Sequence, residues 1–404
     1  MNKFILFLIG LFLSHSVTAY ELAEDLQVHG FFTQNAVSTS GNNMYGKSDN
    51  SISTDFTEAG LNLFYKPFEN ISFSFQGLYR NAGNVDNDTV DIDYAFVDFN
   101  LKNYKSGRYG LRLGRVKNPF GLYNETRDVA FTTPSIILPQ GIYFDGSRSL
   151  LLSSDGMQFY WEHILNNGDF NFRLNYGNTR NDNDEILYSV IPNSPLSNGL
   201  PAPRGDLESI GSDPAFLAYM SYELNGGEYV YAFSYADVKL YYDPKAFDYY
   251  QNGTTEFKRF VLSAQYNGEK WSVMGEFSQQ DNKFKNFNTV LFPDLDSTSE
   301  SWYLQVGYRF QPKWQLYGRY DETYKDKDNR NGKGLMERTG LPDHIVFSKD
   351  IMMGIRWDVN SSMMVRAEYH NINGSSWLTS ADNPVIKDTE QYWDLFIMQL
   401  SFRF

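Results

Sequence analysis

The chain has 404 residues, a formal charge of −14 and no cysteine, so neither disulfides nor thiolate metal sites can organise it. Its 49 Asp and Glu outweigh 35 Lys and Arg, which argues against nucleic acid as a partner. Mean hydropathy is −0.47, as in a polar soluble protein, yet 17% of residues are aromatic; a sheet with one polar and one apolar face reconciles the two.

Residues 1–19 read as an export signal. Lys3 gives the positive start, 4–13 is an apolar run too short to span a bilayer as a helix, and Val17-Thr18-Ala19 is a small-residue cleavage pattern. The alternative is an uncleaved anchor; a lipid-modified N-terminus is excluded by the missing cysteine. Cleavage leaves 20–404 as a single barrel domain, with a charge of −15 because Lys3 departs. About eight residues, 20–27, precede the first strand, too few for the plug of an energy-coupled transporter.

After the signal no apolar stretch approaches 18 residues, so helical spans are out. The dominant period is two. Ile71, Phe73, Phe75, Gly77 and Tyr79 alternate with mostly polar neighbours; Phe170, Phe172, Leu174 and Tyr176 do so without exception. The stretches 302–310 and 351–359 repeat the pattern. Short polar links fall at 66–70, 102–107, 166–169, 225–228, 267–270, 311–313 and 360–362. Longer ones fall at 39–52, 82–89, 118–155, 179–213, 242–256, 282–299, 325–348 and 373–390, strictly interleaved with the short set. The expectation is all-β: a transmembrane antiparallel β-barrel of about 16 strands, with short turns and both termini on the periplasmic side. Eighteen strands stay open, because 26–38 and 90–101 alternate poorly and 91–99 fits either register or a bulge.

The third long link, 118–155, spans 38 residues. Links of that length are functional or disordered, and this one is rich in apolar matter: Phe120, Phe131, Ile136, Ile137, Leu138, Tyr143 and Phe144, stiffened by Pro119, Pro134 and Pro139. Folding into the barrel mouth would bury that matter and narrow the channel; a subunit-contact or lipid-facing role is the alternative.

If apolar positions face lipid, the opposite parity lines the pore. It carries Arg80, Arg112, Arg173, Arg309, Arg319, Arg356 and Arg366, with Glu162, Glu276, Asp321, Asp350, Asp358 and Glu368. Rings of charge set ion preference. Glu125, Arg127, Asp128, Asp145 and Arg148 in the long link are expected at the constriction, its acids facing the wall arginines. The bland alternative is simple pairing along the wall, worth about 0–1 kcal/mol per exposed pair.

At the fifth strand, Gly114, Lys117, Pro119, Phe120 and Gly121 form Gly-x-x-Lys-x-Pro-Phe-Gly as the strand exits into its long link. This motif, with Arg127-Asp128 and 134–140 beyond it, resembles bacterial outer-membrane porins, closest to the phosphate-selective and related porin families. The resemblance implies that the third loop folds inward as the constriction, that the chain is a homotrimer, and that the alternating C-terminus ending in Phe402 and Phe404 is read by the outer-membrane insertion machinery. The Lys cluster of phosphate-selective members has no counterpart here.

Acid clusters at 86–93, 182–185 and 326–332 could take Ca²⁺ or bridge to lipopolysaccharide, but none matches a twelve-residue calcium loop, and solvated charge explains them as well. The mature chain has His29, His163, His344 and His370 with no nucleophile spacing, no Gly-x-Ser-x-Gly and no phosphate loop. No catalytic residue, metal or cofactor is therefore assigned. The expected function is diffusion of small polar solutes or ions across a Gram-negative outer membrane, with outer-membrane lipid and lipopolysaccharide as surroundings. The alternative is a surface-interaction barrel, an adhesin or phage receptor, that transports nothing significant.

Overall fold

A computed structural model describes residues 20–23, 25–180, 186, 210–245, 250–287 and 294–404. The export signal, the acids at 182–185, most of the 179–213 link and part of the 282–299 link lie outside them.

Sixteen long strands follow in chain order. They are β1 Leu26–Thr39, β2 Ser53–Phe68, β3 Ile71–Ala82, β4 Thr89–Tyr104, β5 Gly107–Lys117, β6 Ser153–Leu165, β7 Gly168–Thr179 and β8 Ala215–Leu224. The second half is β9 Tyr229–Tyr242, β10 Gly253–Asn267, β11 Trp271–Lys285, β12 Leu295–Gln311, β13 Trp314–Tyr324, β14 Phe347–Asp358, β15 Met363–Gly374 and β16 Tyr392–Arg403. Each pairs antiparallel with the next, and β16 returns to β1 with Leu395 opposite Thr39 and Arg403 opposite Phe31. The sheet is therefore a closed 16-strand barrel. Two short strands, Tyr20–Ala23 and Ile210–Ser212, fold back on β1 and β9 without adding a stave, which resolves the choice between 16 and 18. Closure leaves no unpaired edge, so a chain without disulfides is held by its own hydrogen-bond ladder.

Burial along the strands is inverted relative to a soluble protein. Leu304 is 50% exposed and its neighbour Gln305 1%; Met398 is 47% exposed and Gln399 4%. Leaving one large aliphatic side chain in water forfeits about 1.5–3 kcal/mol, so a continuous outer face of this kind suits hydrocarbon. Near the short turns the same face carries aromatic pairs: Trp271 on Tyr308 at 4.4 Å between ring centres, and Trp314 stacked on Trp357 at 5.1 Å. Those rings form the girdle expected where hydrocarbon meets headgroups. At the 225–228 turn, Asn225, Gly226 and Gly227 all take positive φ, a path that two glycines follow without steric cost.

The irregular stretch 91–99 contains a bulge. Gln76 pairs with Tyr94 and Gly77 with Ile92, so Asp93 is the extra residue. Its carboxylate accepts from Gln76 at 2.9 Å and meets the Lys117 ammonium. Across β5, β6 and β7, Gly114, Gly156 and Gly177 stand side by side in the ladder. A Cβ at Gly156 would lie 2.3 Å from the Tyr176 carbonyl oxygen, so the wall bends here only without side chains.

On part of the inner wall, polar residues give way to apolar ones. Leu217, Val238, Leu240, Val261, Met274 and Tyr303 pack with Phe120, Leu138, Ile142 and Tyr143 of the 118–152 segment. Ile136 and Ile137 enter a second cluster with Val37, Phe56, Ile372, Trp393, Leu395 and Ile397. The apolar matter that looked burdensome for a surface loop is buried against the wall, except Phe131 and Phe144, which stay half-buried.

Candidate permeation site

Between β5 and β6, the segment 118–152 has one short helix, Arg148–Leu152, and two 3-10 turns, Ala130–Thr132 and Asp145–Ser147. Most of its backbone groups thus lack a repeating partner and must find one elsewhere. Wall side chains supply it. The Ile136 and Ile137 N–H groups donate to the Glu368 carboxylate, Gly121 N–H to the Ser234 hydroxyl at 2.8 Å, and Leu122 N–H to Glu276 at 3.0 Å. Carbonyl oxygens accept from the other direction: Thr133 from Arg366 at 3.0 Å, Pro134 from Gln305 at 3.0 Å, Ile137 from Arg319 at 2.8 Å, Gly141 from Arg259 at 2.6 Å. These partners lie on β9 to β13 and β15. From the other side, Glu58 of β2, Arg80 of β3 and Arg173 of β7 reach the segment's charged residues. A chain bonded to walls all round a closed sheet lies inside it.

At the centre of this crossing sits Asp145. Its carboxylate accepts from Arg80 at 2.8 Å, Arg127 at 3.1 Å and the Tyr45 hydroxyl at 2.7 Å, while Arg80 also meets Glu58 at 3.0 Å and Asp86. A second chain of charge runs from Arg148 to Asp128 to Lys117 to Asp93. Burial pushes the Asp145 carboxyl up, but the two guanidiniums and the Tyr45 hydroxyl outweigh it, holding the group below its ordinary value. Burial, with Arg80 and Arg127 nearby, lowers Arg148 to about 9, leaving it charged at neutral pH. Between segment and wall here is a cavity of about 30 Å³, lined by Arg80, Arg127, Arg148 and Arg366 against Glu58 and Asp145. One water needs about 10–15 Å³, so the gap takes only a few.

Of the seven wall arginines expected in the pore, Arg80, Arg173, Arg319 and Arg366 bond to the segment. Arg112 bonds instead to Asp98 at 2.9 Å and Gln158 at 2.7 Å. Arg309 and Arg356 share Asp358 near the short-turn end, away from the crossing. Glu125 meets Arg173, and Arg127, Asp128, Asp145 and Arg148 come together at the centre. The wall acids divide as well: Glu276 and Glu368 tether the segment, Asp321 and Asp350 pair with Arg319, and Glu162 pairs with exposed Arg108. His370 is fully buried on the inner wall, 2.7 Å from Asp350. The acids at 86, 91 and 93 are each engaged by a cation, from Arg80, Arg180 and Lys117.

Sequence reasoning assigned no site role to Arg259, Glu58 or Tyr45, and took Lys117 only as part of the strand-exit motif. Glu58 shares parity with Asn62 on β2 and was findable from alternation. Arg259 was hidden because its strand is apolar on both faces, Val261 inward and Leu262 outward. Lys117 ends its strand three residues after Gly114, whose φ of +127° breaks the alternation, so parity counting fails there. Tyr45 comes from a separate link, which only the fold brings near.

No family model matches the chain, and no curated protein matches its sequence. Among solved structures it is similar to an anion-selective porin from Comamonas acidovorans (12% identity, TM-score 0.58, 94% of this chain and 99% of that one). It is also similar to Salmonella typhi OmpF in complex with daunomycin (15%, 0.53, 94% and 97%) and to OmpT of Vibrio cholerae in its trimer form (12%, 0.55, 94% and 99%). At such identities the likeness is one of fold. The chain has the barrel fold of these porins; phosphate-selective porins are not among these neighbours.

Proposed function

We propose that this chain is an outer-membrane porin through which small polar solutes or ions diffuse, narrowed by the 118–155 link. The observation that carries this reading is the crossing itself: an irregular segment bonded to the inner wall on both sides, with Arg80, Arg127 and Asp145 lining a small gap between segment and wall. A rigid, charged constriction is what a size- and charge-filtering pore needs, and water bound there resists replacement by apolar solutes. Four guanidiniums face two carboxylates around the gap, which favours anions over cations. The setting in this reading is a Gram-negative outer membrane, reached by cleavage after Ala19, with lipid and lipopolysaccharide around the apolar belt. A homotrimer is part of the same reading, supported by the trimer form reported for the Vibrio cholerae neighbour.

The small gap favours one rival, a surface-interaction barrel working through its outer links. Planar-bilayer recording of the purified chain separates them. Stable single-channel steps support the porin, and a folded but silent barrel supports the rival.

A further inference from the structure

We propose that the inner wall beneath the crossing segment, toward the short turns, holds a binding subsite for a small hydroxylated organic anion. The inference rests on the porin reading for its access route, but its chemistry stands on other residues. A cavity of about 310 Å³ lies there, roofed by Tyr123 and Phe131 of the segment and walled by Gln305, Gln315, Arg309 and Arg356. That volume is at the lower end of small-molecule sites.

Three features define what would fit. The first is an unmatched acceptor. Gln305 is 1% exposed, and its Nε2 donates to the Pro134 carbonyl at 3.0 Å, which fixes the amide's orientation. Its Oε1 then has no donor among the described residues. A buried acceptor without a partner is costly, and a ligand hydroxyl would complete it. The second is unbalanced charge. Arg309 and Arg356 share the single carboxylate of Asp358, at 3.4 and 2.8 Å, and Lys270 offsets Glu269 in the lining, leaving one positive charge in excess. Among the described residues only the Nε of Arg356 is engaged, so its two terminal nitrogens are offered to a carboxylate or phosphate. The third is a carbon-facing surface. The Phe131 ring, with the Arg403 guanidinium 4.2 Å from its centre, offers one face for the C–H groups of a polyol. Hydroxyl, negative charge and a carbon face together describe a sugar acid or a sugar phosphate.

Binding to the full chain in detergent micelles tests this, by saturation-transfer NMR and titration calorimetry with gluconate, glucose 6-phosphate, glucose and hexanoate. Gluconate or the phosphate ester should bind, with glucose and hexanoate each weaker by at least about fivefold. Whichever of the two anions is tighter identifies the head group. Arg356→Gln should erase the preference over glucose, and Gln305→Leu the preference over hexanoate. Since Gln305 also tethers Pro134, the arginine variant is the cleaner arm. Equal binding of all four compounds, or of none, overturns the subsite. A channel that conducts yet binds none of them sinks the subsite alone, whereas a silent barrel that binds gluconate sinks only the porin reading.

Discussion

Asp145 shows how one carboxylate can hold a crossing segment in place. It is 6% exposed and serves two guanidiniums and a phenol. Removing its charge leaves Arg80 and Arg127 buried with less compensation, and breaking a buried pair of this kind costs about 3–5 kcal/mol. Asp145→Asn is expected to lower the denaturant midpoint of the folded barrel and to add flicker to the open channel. Unfolding in micelles followed by tryptophan fluorescence checks the first effect. Because the folded carboxyl sits below its unfolded value of 3.8, its contribution is fully present above that pH and fades as pH falls through the lower folded value. Channel noise should accordingly be flat from about pH 7 to about pH 5 and rise only below 3.8. Noise that climbs steadily from neutral pH would assign the control to another group.

At the scale of elements, strands and links were legible because a two-residue period and polar turn clusters are local signals. Alternation at 170–176 marks β7, and the bulge suspected within 91–99 falls at Asp93. What stayed hidden depends on contacts distant in sequence. Nothing local says that Ile136 N–H will meet Glu368, 232 positions away, or that β8 to β10 turn apolar inward to receive the segment. The site residues were half legible for the same reason: parity placed Arg80, Arg319 and Arg366 on the inner wall, but not their partners. The tightness of the fit makes the crossing directly testable. A Cβ built at Gly141 falls 2.1 Å from the Thr323 Oγ1 on β13 and 2.7 Å from the Ser301 Cβ on β12, so the segment meets the wall there with no room for a side chain. Gly141→Leu should lower the denaturant midpoint of the folded barrel, at a cost of about 1–3 kcal/mol, in unfolding followed by tryptophan fluorescence. An unchanged midpoint would mean that the segment does not lie against that wall.

For the whole molecule, the barrel separates three tasks: an apolar belt outside, a hydrogen-bonded closed wall, and an interior where charge is held by the crossing segment. Net charge is strongly acidic, yet the gap beside Asp145 is lined by more arginine than carboxylate. Local field, not bulk charge, governs selectivity. Arg366 has no carboxylate within salt-bridge distance among the described residues and bonds only to Thr133 and Gln399. Arg366→Gln should therefore shift the reversal potential in a salt gradient toward cations, and an unchanged potential would remove Arg366 from the ion path.

The most direct test of the central claim is single-channel conductance before and after residues 126–143 are replaced by a short Gly-Ser linker, with gel mobility confirming a folded barrel. If the segment narrows a water-filled lumen, conductance should rise about severalfold and ion preference should weaken. A folded variant whose conductance and preference match the parent chain would contradict the account.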